Sequence, residues 1–138
     1  MSKLLTEKVS IYSLLCILSL VIVFHLLVLS GIIPFQIVWG GRLTSHAQMV
    51  QFESVSIALN GVMLAIVAVR ANLLKLRIQP GIITVALWAM CVLFLLNTVG
   101  NLLSTNTFEM VAFTPLTLIL SLCCCRLALN KKWASIPA

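Results

Sequence analysis

Charge is scarce in this chain: only 9% of its 138 residues are Asp, Glu, Lys or Arg, whereas soluble domains carry about a quarter. Three residues are acidic, and all three are glutamates. Hydrophobic residues make up 62% of the chain, and the mean hydropathy is +1.17. This balance excludes a water-soluble globular domain and indicates an integral membrane protein. The length leaves no room for a separate soluble enzyme module.

Four stretches without Asp, Glu, Lys or Arg divide the chain: 9–41, 54–69, 78–108 and 110–125. Since a membrane-spanning helix needs about 20 mainly apolar residues, each stretch predicts one span. We therefore predict a single all-α domain, 1–138, that forms an integral membrane four-helix bundle. Its helices are expected at about 9–33, 46–72, 81–103 and 107–128, followed by a tail at 129–138.

Local signals support two of these boundaries. Pro34 cannot continue a helical hydrogen-bond ladder, so it should end the first helix. Ser45 stands three residues before Gln48, which is the spacing of a capping box and predicts the start of the second helix near His46. The first apolar run is longer than the core of a signal peptide and no cleavage pattern follows it, so we expect it to be retained as a helix.

The basic residues predict the orientation, because Lys and Arg in short loops resist translocation. Eight of the nine lie on one side of the four predicted spans: Lys3, Lys8, Arg70, Lys75, Arg77, Arg126, Lys131 and Lys132. The other side carries only Arg42. Both termini are therefore expected in the cytoplasm. Anionic lipid of the inner leaflet accounts for the net charge of +6, and no nucleic-acid partner is needed to explain it.

With this orientation, the polar residues of the spans gather in the outer half of the bilayer. They are His25 in the first helix, Glu53 and Asn60 in the second, Asn97 and Asn101 in the third, and Glu109 in the fourth. Ionisable groups in a membrane normally turn inward or toward water, because facing lipid is costly. The pattern predicts an outward-facing polar pocket lined by helices 2, 3 and 4 and within reach of His25.

A structural explanation stays open for each of these residues. Asn side chains commonly hydrogen-bond across transmembrane helices and hold them together. A Glu at the membrane interface near a helix N-terminus is favoured by the helix dipole. The polar residues are therefore candidates for either helix packing or ligand binding.

The two membrane glutamates occur in similar contexts. Phe52-Glu53-Ser54-Val55 recurs as Phe108-Glu109-Met110-Val111, and an Arg follows each Glu by 17 positions. This repeat suggests two helical hairpins in the same orientation, related by an axis along the membrane normal, although membrane thickness alone can produce the spacing. If the carboxylates lie close together, they form a proton or cation site, with Arg42 and His46 as available counter-charges.

The five cysteines give no redox motif. Cys123, Cys124 and Cys125 are consecutive, a poor arrangement for joint metal ligation because neighbouring helical residues point about 100° apart. There is no Cys-x-x-Cys pair. We expect the cysteines to be small apolar filler, and we assign no metal, no cofactor and no catalytic residue.

A resemblance narrows the class of protein. Small multidrug exporters are similar in size and span number, but they carry a Glu in the first helix where this chain has His25, and vitamin K epoxide reductase-like enzymes need a Cys-x-x-Cys pair. The segment Ile37-Val38-Trp39-Gly40-Gly41-Arg42, with a Phe-Glu pair opening the second helix, resembles the uncharacterised small four-helix proteins of bacterial inner membranes. This resemblance covers mainly residues 34–60 and implies a compartment and a fold.

Three functions follow from the pocket. The first is a non-enzymatic binding or accessory role, alone, as a homo-oligomer or with a membrane partner protein. The second is a small proton- or cation-coupled transporter that works as an oligomer, with Glu53 and Glu109 exchanging a proton for substrate. The third is an enzyme acting on lipid or quinone with His25 or His46 as base. No nucleophile or cofactor motif favours the third.

Overall fold

The computed structural model describes residues 6–130, and in this range the chain is all-helical with no strand. Four of its helices are long and apolar enough to cross a membrane. They are α1 (Glu7–Leu29), α2 (His46–Arg70), α3 (Pro80–Leu102) and a fourth span, Glu109–Ala128, made of a π-helix (Glu109–Phe113) and α4 (Thr114–Ala128). The prediction of an all-α protein with four candidate membrane spans is confirmed. The segment 131–138, with Lys131 and Lys132, and the N-terminal Lys3 lie outside the described residues.

Local chemistry explains where the helices begin and end. Thr6 and Ser45 cap α1 and α2, their hydroxyl oxygens accepting hydrogen bonds from the backbone N–H groups of Val9 and Gln48. Pro80 occupies the first turn of α3, where its missing N–H costs nothing. The first helix ends at Leu29, earlier than the expected residue 33, because Gly31 adopts a left-handed conformation with φ +80°.

The first loop, residues 30–45, carries two short 3-10 turns, Phe35–Ile37 and Trp39–Gly41. Three successive residues in the second turn have positive φ: Trp39 (+56°), Gly40 (+66°) and Gly41 (+68°). Glycine adopts this conformation freely, whereas an L-residue such as Trp is strained in it. This loop therefore has a specific conformation that other contacts must hold in place.

The helices pack around the bundle in the order α2, α1, α4, α3. The most extensive contacts are those of α3 with α4 and of α1 with α2, and α1 also packs against α4. Although α2 and α3 are consecutive along the chain, they touch at few positions. The bundle therefore has an open side, the gap between α2 and α3.

The apolar core lies toward the end of the bundle opposite the first loop. Fully buried side chains from all four helices form it, among them Leu18, Val67, Leu87 and Cys124. Cys123 and Cys124 are both completely buried in this cluster, so they fill space there as apolar side chains. A second, smaller cluster joins α1 to the first loop and to α2 through Val28, Val38, Leu43 and Met49.

An ion pair closes the end of the bundle that holds the main core. Glu7 Oε1 lies 2.5 Å from Arg70 Nη2, and the other carboxylate oxygen accepts a hydrogen bond of 2.6 Å from Asn130. Arg70 is only 2% exposed. Glu7 thus connects the start of α1 to the ends of α2 and of the fourth span.

Candidate functional site

Glu53 is fully buried and holds two partners from different parts of the chain. Its Oε2 lies 2.6 Å from His25 Nδ1 on α1, and its Oε1 accepts a hydrogen bond of 2.9 Å from the indole Nε1 of Trp39. Hydrogen bonds to an ionised group are among the strongest in proteins. Glu53 therefore ties α1, α2 and the first loop together, and it accounts for the strained conformation of Trp39.

Glu109 has a parallel role at the start of the fourth span. Its Oε2 accepts two hydrogen bonds of 2.7 Å, one from the backbone N–H of Gly40 and one from the hydroxyl of Ser104. Asn106 adds a second link to the first loop by donating from its side-chain amide to the backbone carbonyl of Ile37. The two carboxylates thus bind adjacent loop residues, Trp39 and Gly40.

The backbone around Glu109 is a π-helix, which runs from Glu109 to Phe113 and ends one residue before the Thr114–Pro115 pair. Such insertions in a helix are rare and occur often at functional sites, because they change the direction in which side chains point. Here the π-helix accompanies the contacts of Glu109 with Gly40 and Ser104. The other Phe-Glu segment, at Phe52 and Glu53, lies within regular α-helix.

A cavity of about 530 Å³ lies between these carboxylates and the main core. We call it the α2–α3 cavity, because both of these helices line it and it lies at the gap between them. Its polar lining comprises His25, Trp39, Arg42, Ser56, Asn60, Asn97, Asn101, Ser104, Glu109 and Thr117. Its apolar lining includes Met63, Leu93, Phe94, Leu96, Phe113 and Leu120. The space is therefore amphipathic.

The structure brings most of the residues singled out from the sequence to this cavity. His25, Asn60, Asn97, Asn101, Arg42 and Glu109 all line it. Glu53 does not line the cavity. It is fully buried, and its partners His25 and Trp39 line the cavity. His46 is exposed at the first position of α2, seven residues or about 10 Å along the helix from Glu53. The proposed role of His46 as a counter-charge therefore finds no contact, and His25 has that place.

The asparagines differ in whether hydrogen bonds within the protein occupy their side-chain amides. Asn60 donates to the carbonyl of Ser56 on its own helix at 2.8 Å, and Asn101 makes a long contact of 3.5 Å with the Thr117 hydroxyl. Two hydrogen bonds of 2.9 Å join α3 to α4 instead, one between the Thr98 and Thr117 hydroxyls and one from the Ser121 hydroxyl to the Cys91 carbonyl. Asn97 is exposed and has no side-chain hydrogen bond within residues 6–130. An amide at this depth in a span is available to a ligand.

Arg42 and Glu109 both lie close to Gly40 without forming an ion pair. A methyl group at Gly40 would lie 3.5 Å from Arg42 Nε and 3.8 Å from Glu109 Oε2. The guanidinium nevertheless has no carboxylate within 4.0 Å in the part of the chain that the structure describes. Arg42 is exposed and lines the cavity. The cavity therefore presents a positive and a negative group near each other.

The sequence indicated the carboxylates but missed the donors that hold them. Trp39, Gly40 and Ser104 are not among the site residues that the sequence suggests. The indole N–H of Trp39 was the available clue, because a Trp at a membrane interface combines an apolar ring with a hydrogen-bond donor. Within residues 6–130, no group of three or more His, Cys, Asp or Glu is arranged to hold a metal ion.

Comparison with known proteins gives no relative: no family model, curated protein or solved structure matches the chain. The geometry of the α2–α3 cavity is therefore the basis on which a function can be proposed.

Proposed function

We propose that this chain is a non-catalytic, multi-pass membrane protein that binds an amphiphilic molecule in the α2–α3 cavity and takes it up from the bilayer. One observation carries the proposal: a cavity with both polar and apolar walls lies at the poorly packed side of a transmembrane bundle. Ligand sites in helical bundles are concave, mostly apolar and supplied with a few placed polar groups. This cavity has that composition.

Entry of the ligand from the bilayer is favoured because the other sides of the cavity are covered by protein. The first loop lies over the end of the cavity and is held by Glu53 through Trp39 and by Glu109 through Gly40. Close packing of α1 with α2, of α1 with α4 and of α3 with α4 covers the remaining sides. A molecule dissolved among the lipid chains meets the gap between α2 and α3 directly.

The orientation and the compartment form part of the same proposal. The excess of basic residues on one side supports cytoplasmic termini, with the first loop and the α2–α3 cavity facing outward. The resemblance of residues 34–60 to small four-helix proteins of bacterial inner membranes supports that compartment. The repeat of the Phe-Glu segments as true internal symmetry is part of the same proposal, and its support is the recurrence of Phe-Glu-x-Val with an Arg 17 positions after each Glu.

Photolabelling tests the binding function. The probe is a phospholipid with a diazirine on its acyl chain, incorporated in nanodiscs, and the adducts are mapped by mass spectrometry. Phe94 and Leu120 line the cavity and are only 4% and 1% exposed, so bulk lipid does not reach them. We expect adducts at both residues if the cavity takes up lipid chains.

Two glycine substitutions provide a matched pair for this experiment. Gly100→Leu places a side chain in the cavity, and Gly61→Leu places one on α2 outside the cavity; neither new Cβ has an atom within 4 Å. We expect Gly100→Leu to abolish the adducts at Phe94 and Leu120 and to keep those at the exposed Val85, while Gly61→Leu changes neither. Absence of cavity adducts in the parent protein would overturn the proposal.

A second function, proton- or cation-coupled transport, is favoured by one observation: the fully buried Glu53 is paired with another titratable group, His25. Ionisable pairs inside a membrane often belong to proton or ion pathways. Proteoliposomes containing a pH-sensitive dye and a membrane potential distinguish the two functions. If the protein transports protons, the parent protein should give a proton flux that Glu53→Gln or Glu109→Gln removes. If it only binds a ligand, the parent protein and both variants should give the same flux as empty liposomes.

A further inference from the structure

The charged groups at the α2–α3 cavity indicate the headgroup of its ligand. Resting on the binding function above, we propose that the ligand is an aminophospholipid whose phosphate binds Arg42 and whose primary ammonium binds Glu109. Its acyl chains then occupy the gap between α2 and α3.

Arg42 is the residue suited to the phosphate. This guanidinium lines the cavity at the first loop, is exposed, and has no ion-pair partner within residues 6–130. Guanidinium matches phosphate well, because its planar set of N–H donors pairs with two oxygens at once. The position beside the loop that covers the bundle end also suits a headgroup at the membrane surface.

Glu109 is the residue suited to the ammonium, because its two oxygens differ in their hydrogen bonds. Both hydrogen bonds that Glu109 receives, from Gly40 and Ser104, end on Oε2. Its Oε1 accepts no hydrogen bond from the described residues, and the side chain lines the cavity with 8% of its surface exposed. Glu53 is different, since both of its oxygens are occupied. Glu109 thus has a carboxylate oxygen to offer to a donor on the ligand.

The spacing of these groups favours one ligand that carries both charges. Arg42 Nε and Glu109 Oε2 both lie within 4 Å of the position that a Cβ would take at Gly40, and yet the two side chains do not pair with each other. An anionic headgroup would satisfy Arg42 and be repelled by Glu109, while a simple cation would meet the opposite problem. A phosphate joined to an ammonium by a two-carbon linker satisfies both groups. The exposed amide of Asn97, deeper along α3, is available to the ester oxygens of the same lipid.

The test measures how well unlabelled lipids compete with the diazirine phospholipid for Leu120. The competitors are phosphatidylethanolamine, its mono- and dimethyl derivatives, phosphatidylcholine and phosphatidylglycerol, with inorganic phosphate as an additional arm. Each methyl group removes an N–H donor for Glu109. We expect phosphatidylethanolamine to compete best and phosphatidylcholine and phosphatidylglycerol about tenfold less well, as the loss of a charge-assisted hydrogen bond requires.

Two charge-neutralising variants assign the charges. Glu109→Gln keeps an acceptor for Gly40 and Ser104 but loses the charge, so it should remove the preference for phosphatidylethanolamine over phosphatidylcholine. Arg42→Gln should weaken competition by all phospholipids about tenfold. Arg77→Gln, in the connection at the opposite end of α2 and α3, removes the same charge and should behave as the parent protein.

The outcomes separate the two proposals. Adducts at Leu120 that form without a competitor and are reduced equally by all the lipids overturn the headgroup assignment and leave lipid binding intact. Absence of adducts at Leu120 without any competitor overturns both. Competition by inorganic phosphate that matches phosphatidylethanolamine would show that the site takes a free anion and would overturn the aminophospholipid.

Discussion

At the scale of single residues, Trp39 shows how the site is held together. Its φ of +56° is unfavourable for an L-residue, by about 1–2 kcal/mol, and its indole N–H donates to the buried Glu53. Its ring also packs edge to face on Phe52, with ring centroids 5.1 Å apart. The hydrogen bond and the ring contact stabilise a loop conformation that local preference opposes.

Replacement of this Trp tests the hydrogen bond. We expect Trp39→Phe to lower the free energy of unfolding by about 1–3 kcal/mol, because a buried carboxylate loses one of its donors while the ring contact is kept. Denaturation by SDS in mixed micelles measures this change. Trp88→Phe, on the exposed face of α3, is the matched control and should alter stability little. Equal effects of the two substitutions would show that the Trp39 indole N–H contributes nothing.

Some residues of the site were predictable and others were not, for a physical reason. His25, Glu53 and Glu109 stand out because an ionisable group in an apolar stretch must be satisfied somewhere. Their partners depend on which helices are neighbours and on how the first loop folds, and neither property is local in sequence. For this reason the sequence suggests His46, close to Glu53 along the chain, as a counter-charge and does not suggest Trp39 as a partner.

At the scale of elements, the first loop and the π-helix fit each other. The loop presents the indole N–H of Trp39 and the backbone N–H of Gly40 to two different helices, and Glu109 at the start of the π-helix accepts from the second donor. The four spans themselves followed from hydrophobicity and length. The π-helix and the 3-10 turns did not, because they depend on these contacts between distant segments rather than on local preference.

Two glycines of similar conformation allow the effect of backbone strain in the first loop to be distinguished from the effect of its contact with Glu109. Gly40 (φ +66°) and Gly31 (φ +80°) both require left-handed backbone, but only Gly40 binds Glu109. We expect Gly40→Ala and Gly31→Ala each to destabilise the fold by about 1–2 kcal/mol. Only Gly40→Ala should also reduce lipid photolabelling at Leu120, because relief of the strain moves the N–H away from Glu109. Identical labelling in the two variants would show that the hydrogen bond between Gly40 and Glu109 does not affect lipid binding in the cavity.

At the scale of the whole molecule, the positions of the charges give an orientation that labelling can check. We expect a cysteine at Ser45, in the exposed first loop, to react with a membrane-impermeant maleimide from outside the cell. A cysteine at Leu74, in the connection between α2 and α3, should react only after the membrane is opened. The parent chain, with its five cysteines, sets the background. Labelling of Ser45→Cys from the cytoplasmic side alone would reverse the topology.

The packing order of the helices also has a consequence for assembly. Since α2 and α3 make few contacts, the connection between them stabilises the bundle mainly by keeping the α1–α2 hairpin and the α3–α4 hairpin on one chain. The hairpins meet along the α1–α4 seam, and hydrogen bonds from Gly40 to Glu109 at one end and from Asn130 to Glu7 at the other fasten it. The protein should therefore assemble from two fragments. We expect fragments 1–74 and 75–138, synthesised separately in the same membrane, to associate and co-purify.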